Sequence, residues 1–341
     1  MDNNSEPRPA ASPGTIKTTI LILSDTHGMA LGEHPPFPRA DVAIHCGDLT
    51  EESKLAEMRT TLGLLKQTNA PLKLVIPGNH DFTLDTPSFR HKEYGDYGEA
   101  EQLFRGAREA HGVRLLGEGT HRLALGNGAA LTVYASPYTP SLGDWGFQYR
   151  PDRGHAYGIG EGADVVVTHG PPRGVLDRTG GRERGGSAEL FAAVAAARPR
   201  VHCFGHIHEG WGAKLVTWRD GGAQQGQDRE PSHLTGIDNG RSHVVETLGT
   251  ILPGRHDTPE DVALKEARRV RYRSQGYCST SHCRDDEFPL EVGRQTLFVN
   301  AAVKGGDEEL PVQFPWLVTL ELPQSEATNT LKVKPSSKEV C

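Results

Sequence analysis

Short apolar runs, each closed by glycine, proline or a small polar residue, recur through the first two-thirds of the chain. They predict strands at Thr19–Ser24, Asp41–Cys46, Leu72–Pro77, Ala130–Ser136, Asp164–Thr168 and Arg200–Phe204. Between them the period changes. Leu55, Met58, Leu62 and Leu65 share one face at helical spacing, as do Ala100, Leu103, Phe104 and Ala107. Ser187 is placed to cap an Ala-rich helix that Pro199 closes. From Thr18 to about Trp218 this alternation of strand and helix is that of an α/β protein.

Beyond Trp218 the pattern lapses. Residues 219–294 are polar and Gly-rich, with no sustained strand pattern and one expected helix, opened by Thr258, Pro259, Glu260 and Asp261 and running to about Arg273. Strands at Thr296–Val303 and Trp316–Leu322 then restore the core pattern. The expected organisation is a tail over 1–16, one domain over 17–323 carrying an insertion at about 219–294, and a second tail over 324–341.

Composition narrows the function. An apolar fraction of 36%, with 40 glycines and 23 prolines, implies a loop-rich chain around an ordered core. The formal net charge of -7 argues against a nucleic-acid polymer as partner, which needs a positive field, but leaves room for a small phosphate-bearing substrate. Five cysteines and a polar, Pro-rich start at Met1–Gly14 suggest free thiols and a cytoplasmic setting, with no signal peptide and no membrane span.

The chemistry sits where the strands end. Ser24-Asp25-Thr26-His27-Gly28, Gly47-Asp48, Gly78-Asn79-His80-Asp81, Thr168-His169-Gly170 and Gly205-His206-Ile207-His208 each follow a predicted strand. In open α/β sheets the carboxyl ends of strands are where sites assemble, and glycine lets the backbone turn sharply there. Two carboxylates, one amide and four imidazoles form an oxygen-and-nitrogen set suited to Mn, Fe or Zn rather than calcium. Seven groups exceed one tetrahedral ion and suit two ions that share a carboxylate. Such a pair, roughly 3.5–4 Å apart, clamps a phosphoryl group and activates a bridging hydroxide for in-line attack.

These five motifs, in this order over about residues 19–218, resemble the motif set of the calcineurin-like metallophosphoesterases. The resemblance implies a four-layer α-β-β-α sandwich of two mixed sheets flanked by helices. It implies that Asp25, His27 and His208 hold one divalent transition-metal ion, that Asn79, His169 and His206 hold a second, and that Asp48 bridges them. His80 is then the general acid that protonates the leaving oxygen, a role imidazole suits. Protein Ser/Thr phosphatases carry a phosphate-clamping arginine shortly after the Gly-Asp motif, whereas Asp48-Leu49-Thr50-Glu51-Glu52-Ser53 has none. The segments Thr168–Pro172, Gly205–Gly210, Ser136–Tyr138 and Trp145–Phe147 are similar to small metallophosphoesterase-domain proteins related to class III cyclic-nucleotide phosphodiesterases. That branch implies a small phosphodiester as substrate, cyclic nucleotides included. A phosphomonoesterase and a catalytically idle metal-binding module are the alternatives.

Other residues have plainer readings beside functional ones. Asp81 either orients His80 or finishes its turn. Tyr138, Trp145 and Phe147 either line the cleft or pack locally, and packing is the commoner fate of such aromatics. His45 and His202, inside strand patterns, read as satisfied core histidines rather than extra ligands. Arg173 reads as a solvated loop residue, and Arg268, Arg269, Arg271 and Arg273 as cations complementing a helix C-terminus. Cys278, His282 and Cys283 resemble half of a zinc site with no second half.

Overall fold

The apolar runs pair into two mixed sheets that face each other. The computed structural model describes residues 14–30, 35–85, 98–220, 231–307 and 310–325. The first sheet has the order Cys278–Ser281, Trp316–Pro323, Thr15–Leu23, Val42–His45, Leu72–Val75, Val113–Leu115. Its last four strands run parallel, and Trp316–Pro323 runs antiparallel to Thr15–Leu23. The second sheet has the order Ile237–Thr247, Gly212–Trp218, Gln295–Asn300, Val201–Phe204, Val165–Thr168, Ala130–Ser136, Gly119–Ala124. Four parallel strands, Gln295–Asn300 to Ala130–Ser136, are flanked by antiparallel neighbours.

Alternation along each strand creates the layers. Ile20, Ile22, Val42, Ile44 and Leu74 face Val133, Val165, Val167, Val201, Leu297 and Val299 in one buried cluster between the sheets. Their neighbours point the other way, because successive side chains in a strand alternate. Leu21, Leu23 and Ala43 meet Leu64, and Val75 meets Met58 and Leu65, all from the helix Leu55–Gln67. Phe104 and Ala107 of the helix Glu99–His111 close the same outer face. Val166, Phe204 and Phe298 pack on Leu190, Phe191 and Val194 of the helix Ala188–Ala197, whose start Ser187 caps by accepting from the Leu190 amide at 3.0 Å. The strands are therefore apolar on both faces, and burying each such side chain contributes ~1.5–3 kcal/mol.

The segment 219–294 departs from expectation. It carries the expected helix, Pro259–Gln275, capped by Thr258, yet it also supplies Ile237–Thr247 and Cys278–Ser281, an edge strand to each sheet. The polar face of Ile237–Thr247 hid it: an edge strand half open to solvent lacks the apolar run that marks an interior one. Val113–Leu115 and Gly119–Ala124 were missed on the same grounds, being short or solvent-facing on alternate residues. Order begins inside the expected tail, where Thr15 and Ile16 pair with Pro323 and Leu322. Residues 1–13 and 326–341, the remainder of both expected tails, lie outside the described residues. Among the described residues, no helix is long and apolar enough to cross a membrane.

Candidate metal centre

Asp25, His27, Asp48 and His206 all hold positive φ, at 55°, 47°, 52° and 67°. A left-handed residue other than glycine costs on the order of 1 kcal/mol or more, so the surrounding structure must hold it there. Here the turns after Thr15–Leu23 and Val42–His45 are laced together. The Asp25 amide donates to Gly47 O at 2.9 Å, that of His27 to Asp48 O at 3.0 Å, and that of Gly28 to Leu49 O at 2.8 Å. Glycines make the approach possible. A Cβ on Gly205 would overlap the Asp25 carboxylate, one on Gly78 would overlap Asp48, and one on Gly47 would lie 2.6 Å from His169 Nδ1.

All seven residues read from the sequence converge. Asp25, His27 and His208 form one set whose ligand atoms lie within 4.8 Å of one another, and Asp48, His169 and His206 form a second. Asn79 joins the second set, its Oδ1 3.0 Å from His169 Nε2. Asp48 stands between the sets: its Oδ2 is 3.3 Å from His169 Nε2 and 3.7 Å from His27 Nε2. Both carboxylates are oriented by backbone donors from other turns. The His206 amide reaches both Asp25 oxygens at 3.0 Å, and the His80 amide reaches Asp48 Oδ1 at 2.9 Å. His169 Nδ1 donates to Cys46 O at 3.0 Å, which leaves Nε2 to face Asp48.

The charges are set by competition between burial and pairing. Burial alone would raise Asp25, but its hydrogen bond to His208 and the charges of His208, His169 and His27 hold it well below the usual carboxylate range. Burial likewise opposes Asp48, which His169 brings down to about 2, while Asp48 in turn raises His169 to about 9 against its own burial. His206 is lowered to about 4 by burial and by neighbouring His169, and burial also lowers His27.

These residues fit divalent cations. Both ring nitrogens of His27 are buried and have no hydrogen-bond partner; the Glu51 carboxylate oxygen 3.1 Å from Nδ1 is outside hydrogen-bonding geometry. A buried nitrogen without a partner is costly in a protein interior, and a cation in the Asp25–His208 set satisfies it. The donor set of imidazole, carboxylate and amide oxygen suits Mn, Fe or Zn.

His80 lies beside the two sets, its ring centroid 4.8 Å from that of His27, and its Nδ1 donates to Glu51 O at 2.6 Å. Asp81 does not orient it. Its carboxylate accepts from the Gly78, Leu49 and Thr50 amides and from the Thr50 hydroxyl, tying the second and third turns together. Trp145 covers His80 with ring centroids 4.3 Å apart, whereas Tyr138 and Phe147 pack on each other. His45 and His202 are buried behind the ligands, bonded to Thr26 and Thr168 at 3.0 and 2.8 Å, and burial lowers each to about 3.

The other candidates lie apart from the ligand sets. Arg173 is exposed, Arg268 pairs with Glu246, and His282 spends its nitrogens on Phe288 O and Thr280 Oγ1. Sequence reasoning missed Glu51 and Lys304. The Lys304 ammonium lies 2.6 Å from Glu51 Oε2, which itself reaches His27. Glu51 was within reach, since it lies three residues after a ligand on the same loop; Lys304 carried no local signal.

A family model described as calcineurin-like phosphoesterase matches residues 18–210. Probable rhamnogalacturonate lyase C of Emericella nidulans is 35% identical over 202 residues, 58% of this chain but 18% of that protein. Metallophosphoesterase domain-containing protein 1 of Homo sapiens is 31% identical over 216 residues, 57% of this chain and 62% of that protein. A UPF0046 protein of Caenorhabditis elegans is 30% identical over 202 residues, 58% of this chain and 65% of that protein. The chain thus spans less than two-thirds of each of these relatives. With the family model covering more than half of its length, the chain belongs to the calcineurin-like phosphoesterase family.

Proposed function

We propose that this metal-dependent phosphoesterase hydrolyses a small phosphodiester. Asp25, His27 and His208 would hold one divalent ion and Asn79, His169 and His206 a second, with Asp48 shared. When bound, such a pair of ions supplies the charge that holds a phosphoryl group and activates water for in-line attack. The observation that carries the reading is the position of Asp48, with one carboxylate oxygen facing a histidine of each set.

The chain's own residues then divide the remaining work. His80 Nδ1 must donate to Glu51 O, because a carbonyl only accepts, so Nε2 is the nitrogen with a proton to transfer when the ring is charged. That proton goes to the leaving oxygen, and Trp145 over the ring limits water on that side. The preference for a diester rests on charge. A monoester brings a dianion, whereas the loop Leu49–Ser53 offers no arginine and its Glu51 carboxylate already draws on Lys304, which leaves less positive charge beside the ligands than a dianion needs. The acidic chain speaks against a nucleic-acid polymer as substrate.

The test is turnover by protein whose metal content has been quantified after loading with Mn. An aryl phosphodiester should be cleaved faster than the matching monoester. The reverse preference would make the protein a monoesterase, and full metal occupancy without turnover on either would make it an idle binding module. His80→Ala should slow diester cleavage about 10²–10⁴-fold with metal content unchanged.

A further inference from the structure

We propose that Lys304 is the cation that holds the substrate's phosphoryl oxygen, taking the place of the arginine missing after Asp48. The inference rests on the phosphoesterase reading above and names a residue for substrate binding that lies outside both ligand sets.

Lys304 comes from far along the chain, yet its backbone is built into the site. Asn300 ends the strand Gln295–Asn300 and anchors the following turn, donating its side-chain amide to Ile207 O at 2.9 Å. The Val303 amide then donates to Ser24 O at 2.8 Å and that of Lys304 to Asp25 O at 3.2 Å. Gln313 fixes the other side, its amide on Val303 O at 2.7 Å and its side chain on His208 O at 3.2 Å. Lys304 is thus bolted to the turns that carry Asp25 and His208.

Its side chain crosses to the loop where a clamping arginine would have stood. The ammonium sits 2.6 Å from Glu51 Oε2, and the same oxygen is 3.1 Å from His27 Nδ1. As a stability device the pair is weak: the side chains are 34% and 45% exposed, and ion pairs so open to water contribute little. A weak, half-open pair is easily exchanged. A phosphoryl oxygen arriving between the ligands offers the ammonium a charge-assisted hydrogen bond in a drier place, and Lys serves phosphate as a compact point charge.

The test uses Mn-loaded full chain with quantified metal, in Lys304→Gln and Lys304→Arg, each also in a Glu51→Gln background. Two quantities are read: KM and kcat for an aryl phosphodiester, and the affinity for inorganic phosphate by calorimetry. Lys304→Gln should raise KM and weaken phosphate binding roughly tenfold, the loss of one charged hydrogen bond, with kcat changed less and metal content constant. Lys304→Arg should restore most of both, and the loss should persist without the Glu51 charge. Unchanged KM and phosphate affinity in Lys304→Gln would overturn the proposal. So would an effect that vanishes in the Glu51→Gln background, because Lys304 would then act only by neutralising Glu51. If no diester or monoester is turned over, the proposed function fails by itself, and phosphate affinity still decides the role of Lys304.

Discussion

The two ligand sets are built alike and held differently. Each draws on both sheets, and each has a buried histidine behind it bonded to a threonine beside a ligand: His45 on Thr26, His202 on Thr168. In the Asp48 set, His169 is held from both sides, by Cys46 O on Nδ1 and by Asn79 and Asp48 about Nε2. In the Asp25 set, His27 has neither nitrogen bonded. The Asp48 set is tied together through His169, whereas in the Asp25 set the pairing of His208 with Asp25 at 3.3 Å leaves His27 unbonded. The fold thus holds one buried histidine by both nitrogens and its counterpart by neither.

The largest predicted effect comes from the shared residue. Asp48→Asn should lower diester turnover about 1000-fold or more and weaken both ions, because it removes charge from each set at once. Loss of one ion alone, with the other retained at wild-type affinity, would break the bridging role.

Two glycine variants act on one set or on both without replacing a ligand. Neither Gly205 nor Gly78 has positive φ, so alanine acts there through contact alone. Gly205→Ala presses on Asp25 and should weaken one ion by on the order of 10–100-fold; Gly78→Ala presses on Asp48 and should weaken both. Titrations of metal affinity followed by elemental analysis separate these outcomes.

The smallest effect concerns the scaffold behind the Asp48 set. His202 is lowered to about 3 by burial, against about 6.5 in an unfolded chain. Between those values the unfolded state binds a proton that the folded state does not, so stability rises with pH through this window and is lost as pH falls below about 6.5. At pH 5 the loss from this one residue is on the order of 2 kcal/mol. His202→Leu should flatten the decline of the urea midpoint between pH 6.5 and 5, and Thr168 keeps its hydroxyl bond to Gly170 O at 2.7 Å. An unchanged slope would place acid sensitivity elsewhere.

How far the sequence could be read follows from the same physics. The interior strands were legible because both faces are buried, so Ile20–Leu23 and Val165–Val167 stand out as unbroken apolar runs. Their carboxyl ends were legible because glycine beside Asp, Asn or His repeats at five turns. Edge strands such as Ile237–Thr247 were not, since half of their surface meets water and their composition passes for a loop. Lys304 was illegible for another reason. Its meaning depends on a contact across 253 positions, formed only once Gln295–Asn300 has been laid beside Val201–Phe204. Asp81 shows the limit inside a motif: its neighbour His80 suggested a pair, and the fold uses the carboxylate to gather backbone amides instead.

Two sets joined at Asp48 are tested by the number of divalent ions per chain, from elemental analysis of folded, Mn-loaded protein, in the wild type, His27→Ala and His169→Ala. Two ions are expected in the wild type and one in each variant. A single ion in the wild type, or both ions retained in either variant, would contradict two sets joined at Asp48.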